Sequence, residues 1–202
     1  VDGPPWHGPC GIPDIPESPR SLSDSGLRTY TKEETMKPIM PCLWFDSKAE
    51  DAARFYTSVF KDSKILDITH YGPSASGAAG MPKGSVMTVT FEINGQEFLA
   101  LNGGPGFKFT EATSFVVRCK NQDEIDEYWS KLTQGGTPGQ CGWLKDKFGL
   151  SWQVVPVSLD KMVQDKDAAK SDRVMEALIH MKKLDVKTLE DAYEGKVGVE
   201  AR

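Results

Sequence analysis

The chain has 202 residues, of which 26% are charged and 39% hydrophobic, with a formal net charge of -5. That length admits one ordinary domain or two small fused modules and can bury a sizeable core. The acidic balance argues against nucleic acid or an anionic membrane as partner, and no apolar run approaches the roughly 20 residues that span a bilayer.

In chain order, residues 1–35 come first, with six of the chain's 13 prolines in the first twenty positions. Proline fixes its own dihedral and disfavours helix before it, so a disordered extension is expected here. Its acidic residues and lack of an apolar core segment do not suit a targeting peptide, which points to the cytoplasm. From Lys37 the pattern sharpens. KPIMPCLWF reads as a strand, with Met40, Cys42 and Trp44 on one face and Ile39, Leu43 and Phe45 on the other. Asp46 or Ser47 is expected to cap the following helix, in which Ala52, Phe55, Tyr56 and Val59 recur at helical spacing. KILDITHYG predicts a second strand, and SASGAAGMPKG predicts a flexible loop.

SVMTVTFEI alternates apolar and polar residues, Asn94-Gly95 is a strong two-residue hairpin signal, and QEFLALN is the return strand. TSFVVRC predicts another strand. A helix from about Asn121 follows, with Ile125, Tyr128, Trp129 and Leu132 as its stripe and Gly135-Gly136 at its end. GQCGWLKD and LSWQVVPV predict a hairpin turning through Lys147-Phe148-Gly149, and KSDRVMEALIHMKK and KTLEDAYEG predict terminal helices. Of the four cysteines, Cys10, Cys42, Cys119 and Cys141, none forms a C-x-x-C pair, so reduced thiols are expected.

WFDSKAEDAARFYTSVF, the Asn94-Gly95 hairpin, LNGGPGFKFTEA and QCGWLKDKFGLSWQVVP together resemble the PhnB-like branch of the glyoxalase/bleomycin-resistance (vicinal oxygen chelate) superfamily. Many members of that branch carry the label 3-demethylubiquinone-9 3-methyltransferase. The resemblance implies an α+β fold of two βαβββ modules with curved mixed sheets, about 36–105 and 110–157. These would form one domain over 36–165, followed by a C-terminal helical tail over 166–202. It also implies a homodimer.

Metal-dependent branches of that superfamily place His, Glu or Gln on the first and last strands of each module. Here the corresponding places fall on Met40 or Pro41, Leu99 or Ala100, Ser114 and Val155, which cannot supply a strong divalent-ion set. No metal and no cofactor are therefore expected. Of the three histidines, only His70 follows the apolar parity of Leu66 and Ile68. It is expected to point inward, as a hydrogen-bonded core residue or, functionally, a general base.

The better pocket candidates are rings. Trp44, Phe107, Phe109, Trp143 and Trp152 lie in or beside strands expected to line the concave sheets, with Asn102 and Gln153 as amide partners for a ligand. The bland alternative for each ring is core. GGPG after Asn102 precedes a strand instead of a helix N-terminus, so it reads as the linker between modules and not as a phosphate cradle. The expected function is binding of a small apolar or aromatic molecule without a metal. Catalysis is left open. A methyltransferase, or a dimeric interaction module with a vestigial pocket, is the competing reading.

Overall fold

The computed structural model describes residues 39–196, so the Pro-rich extension expected over 1–35 lies outside the described residues. The first module runs β1 (Cys42–Phe45), α1 (Ala49–Val59), β2 (Ser63–His70), α2 (Pro73–Ala79), β3 (Val86–Ile93) and β4 (Gln96–Asn102), in a sheet ordered β1-β4-β3-β2. The second runs β5 (Ser114–Cys119), α3 (Gln122–Thr133), β6 (Thr137–Pro138), β7 (Trp143–Lys145) and β8 (Ser151–Pro156), ordered β5-β8-β7-β6. In both sheets the first strand lies parallel to the last and the other pairs are antiparallel. The same order and polarity occur twice, so the two sheets are copies of one βαβββ plan, as the α+β reading expected. Helices α4 (Leu159–Val163), α5 (Ala168–Ile179) and α6 (Val186–Glu194) complete the described chain.

Local chemistry explains most boundaries. In β3 the alternation buries Val89, Phe91 and Ile93. Asn94 at φ 46° and Gly95 at φ 77° then supply the two left-handed residues that a type I′ hairpin needs. Helix α3 starts where the Asn121 side chain accepts from the Glu124 amide, which satisfies one orphan N–H. In α1, Ala52, Tyr56 and Val59 face the core and Phe55 lies partly buried against it. One apolar core joins α1, α3 and one face of each sheet, through Tyr56, Phe91, Leu132, Trp152 and their neighbours. A second, smaller cluster unites α4–α6 through Met162, Val174, Leu178, Leu184 and Leu189.

Four local expectations change. The Gly/Ala/Ser segment forms α2: Pro73 stands at its start, where a missing N–H costs nothing, and Gly80 closes it at φ 66°. Neither Asp46 nor Ser47 caps α1. Lys48 is the N-cap residue, without a side-chain bond, and the Ala49 amide donates instead to Asn102 Oδ1 at 2.7 Å. His70 is exposed and not inward, because register shifts between Ile65 and Asp67 and between Thr69 and His70 break the two-residue alternation. Strand β6 and helix α4, too short for periodicity to reveal, are additional.

Candidate functional site

Register divides each sheet into a helix-covered face and an open face, since directly paired residues share a side. On the open face of the first sheet, Trp44 lies beside Leu101 and Leu101 beside Thr88, while Cys42 lies beside Leu99 and Leu99 beside Thr90. On that of the second, Val116, Gln153 and Trp143 form one row, and Ser114, Ser151 and Lys145 form the next. The places that would hold a divalent ion carry apolar side chains or a lone hydroxyl. Among the described residues no group of three or more His, Cys, Asp or Glu converges. This donor set does not fit a divalent ion.

Three of the expected rings meet in a cleft of about 400 Å³ where β1 ends and residues 103–113 pass the β7–β8 turn; a larger one of about 580 Å³ is lined by Phe60, Phe98, Phe115, Tyr128 and Trp152. Trp44, Phe107, Phe109 and Phe148 wall the smaller cleft, with Lys48, Lys108, Lys145 and Lys147 around them and Asp46 as the carboxylate. The Trp44 and Phe107 rings meet edge to face at 5.0 Å, and Phe45 meets Phe109 at 5.2 Å. Trp44 is held in place twice. Its Nε1 donates to the Gly104 carbonyl at 2.9 Å, and its indole lies so close over Gly103 that a Cβ there would sit 2.1 Å from the ring. The GGPG segment thus links the modules and also seats Trp44. Lys147 lies over the Phe55 ring at 4.3 Å and the Phe148 ring at 5.3 Å.

The remaining candidates lie elsewhere. Trp152 is on the helix-covered face, opposite Leu144 and Phe115, and is 4% exposed. It stands one position out of step with the open face on which it was expected. Its Nε1 donates to Asp146. Asn102 has both ends of its amide occupied, accepting from Ala49 and donating to the Val86 carbonyl. The Gln153 amide donates to Ser114 Oγ. Trp143 lines a separate cleft with Pro138, Lys145 and Ser151. The structure therefore groups Trp44, Phe107 and Phe109, and keeps His70, Asn102, Trp143, Trp152 and Gln153 apart from them. Phe148 and the lysines were not anticipated; the K-D-K alternation at the hairpin end was the available signal.

Asp146 organises that hairpin. Its Oδ1 accepts from the Phe148 and Leu150 amides and its Oδ2 from Tyr56 Oη and Trp152 Nε1, all within 3.1 Å. Burial pushes the carboxyl up, against the downward pull of the Trp152, Phe148, Tyr56 and Leu150 donors. No cation pairs with it among the described residues, and four donors take that place.

Paired βαβββ sheets with open faces are the architecture of the vicinal oxygen chelate fold. The sequence profile of the 3-demethylubiquinone-9 3-methyltransferase family matches residues 37–155, and the chain belongs to that family. A Bacillus cereus protein, provisionally described as a 3-demethylubiquinone-9 3-methyltransferase, PhnB protein, is 37% identical. It aligns with 60% of this chain and 100% of its own, at a TM-score of 0.54. A Pseudomonas aeruginosa protein aligns at 17% identity over 58% of this chain and 96% of its own, with a TM-score of 0.47. The fosfomycin resistance protein FosX of Listeria monocytogenes aligns at 11% identity over 65% and 99%, with a TM-score of 0.45. No curated protein matches the sequence.

Proposed function

We propose that the chain binds a small aromatic molecule in the cleft of Trp44, Phe107, Phe109 and Phe148, without a metal. One observation carries this reading: rings are seated at the cleft and left accessible, with Phe107 55% exposed. A ring that served only the core would be covered, as Trp152 is. The apolar wall recognises a flat ligand, and the surrounding lysines favour one with negative or electron-rich edges. No reaction is assigned to the site.

The test is a fluorescence titration of the full chain with quinone-like and aromatic compounds, with and without a chelator. At least one compound should bind the wild type, Trp44→Leu should lose it, and the chelator should change nothing. Loss of binding on chelation, or equal binding by Trp44→Leu, would sink the reading.

The family's name favours a second reading, methyl transfer from S-adenosylmethionine. That cofactor usually sits at the Gly-rich first turn of a doubly wound parallel sheet, whereas both sheets here are four-stranded and mixed. Calorimetry with S-adenosylmethionine distinguishes the two, and micromolar binding would favour transfer. A homodimer belongs to the first reading, supported by the apolar Leu99, Leu101 and half-exposed Val116 on the open faces. Sedimentation equilibrium tests it. A cytoplasmic location is supported by Cys42, Cys119 and Cys141, which form no disulfide among the described residues, and tested by cell fractionation.

A further inference from the structure

Ser151 stands out among the described polar groups. Its side chain is 1% exposed, and its Oγ is buried with no hydrogen-bond partner. Buried hydroxyls are normally satisfied, so an orphan one calls for a partner the protein does not supply. It lines a cleft of about 320 Å³ that also contains Trp143, Pro138, Lys145 and Glu111. Lys145 is the register partner of Ser151 across β7 and β8, so the ammonium and the hydroxyl rise from the same face. The Lys145 ammonium is already engaged: Glu111, from the linker between modules, places a carboxylate oxygen 2.5 Å from its Nζ. That carboxylate is mostly exposed, with 64% of the side chain open to solvent, and it sits on a segment without regular structure. A group so placed is easily displaced, since an exposed ion pair contributes little.

We propose that this second cleft is a binding site for a small organic acid, in which the ligand's carboxylate replaces that of Glu111. Lys145 Nζ and Ser151 Oγ donate to it, and the half-buried Trp143 ring flanks the flat or apolar remainder. A carboxylate suits the two donors because a charge-assisted bond from the ammonium and a hydroxyl bond can fall on its two oxygens. Glu111 then acts as an internal competitor that keeps Lys145 paired when no acid is bound. The site is distinct from the aromatic cleft, with which it shares Lys145 alone.

The probes are benzoate and its neutral isostere benzamide, titrated into the full chain by calorimetry. Benzoate should bind about tenfold or more tightly than benzamide, as a charge-assisted contact requires. Removing the competitor with Glu111→Gln should tighten benzoate by about tenfold, and Ser151→Ala should weaken it about threefold or more. In a Trp44→Leu background the Glu111→Gln and Ser151→Ala effects on benzoate should persist, which separates failure here from failure of the aromatic cleft. Unchanged circular dichroism and melting temperature qualify each variant. Equal affinity for benzoate and benzamide would overturn the site, as would unchanged or weaker benzoate binding in Glu111→Gln. So would no benzoate binding by either the wild type or Glu111→Gln.

Discussion

At the residue scale, two positions shape the first module and neither is an active group. Asn102 closes the last strand yet serves the first helix: its Oδ1 receives the Ala49 amide, its Nδ2 donates to Val86, and its own carbonyl accepts from Tyr71 Oη at 2.5 Å. Replacing it with alanine leaves a buried amide and carbonyl unpaired. Asn102→Ala should therefore cost about 2–3 kcal/mol in urea unfolding, and a loss under half a kilocalorie would show that water replaces the amide. Gly103 acts by having no side chain. Gly103→Ala must push the Trp44 indole aside, because the neighbouring atom is a rigid ring fixed by its bond to Gly104. Its tryptophan emission should shift and aromatic ligands should bind more weakly, while the fold persists. An unaltered spectrum would contradict the packing described for Trp44.

At the scale of elements, the strong periodicities were legible and the irregular joints were not. The alternation of β3, the Asn94-Gly95 turn and the stripes of α1 and α3 each follow from a local pattern that tertiary contacts reinforce. Helix α2 was hidden by composition, because Gly, Ala and Ser suggest a loop until Pro73 and Gly80 are read as its two ends. His70 was misplaced because no sequence rule locates the two irregularities in β2. Trp152 and Gln153 are expected in one pocket, yet neighbours on a strand point to opposite sides: Trp143 and Gln153 share one face, Leu144 and Trp152 the other. The aromatic cleft was half legible, through Trp44, Phe107 and Phe109. The contribution of Phe148 and Lys147 depends on how the second hairpin meets α1, which no single segment encodes.

The same elements set an alkaline limit on stability. In β5, burial pushes the Cys119 thiol from 9.0 up to about 12, with Glu124 adding to the shift. In α1, burial raises the Tyr56 phenol well above 10.0, and the charge of Asp146 and the bond to it add to this. Both folded groups hold their protons more tightly than the unfolded chain does. Each contribution is complete below the unfolded value and is lost as pH rises through the window above it. Stability should therefore decline from about pH 9 by about 1.4 kcal/mol per pH unit for Cys119, and more steeply above pH 10 as Tyr56 joins. Urea melts at several alkaline pH values check this, and Cys119→Ala should delay the decline. Parallel curves for wild type and variant would exclude the thiol as a cause. At neutral pH the same shift leaves Cys119 protonated and inert.

At the scale of the whole molecule, the chain carries more than its family's matched region, since α4–α6 lie beyond residue 155. They are fastened to the second module by apolar packing of Cys141 and Val155, by an Arg118–Asp160 ion pair and by backbone bonds. The Cys141 and Gly142 amides donate to the Met181 and Lys182 carbonyls, while Gln122 of α3 donates to the Leu184 carbonyl and accepts from the Val186 amide. Lys183 adds an ion pair with Asp126. Gln122→Ala should loosen the start of α6, so that its amides exchange several-fold faster while those of β3 and β4 keep their protection. Uniform acceleration across the chain would instead mean that the whole domain had lost stability. A final consequence concerns the buried carboxylate of the second hairpin, which takes its phenol from 90 positions earlier, on the opposite side of the linker. Severing the polypeptide near Gly106 would take one of four donors from the carboxylate in one fragment and strip a hydroxyl of its acceptor in the other. Gene halves expressed separately should be insoluble alone and recover a common fold when mixed, so the duplicated architecture now behaves as one indivisible body.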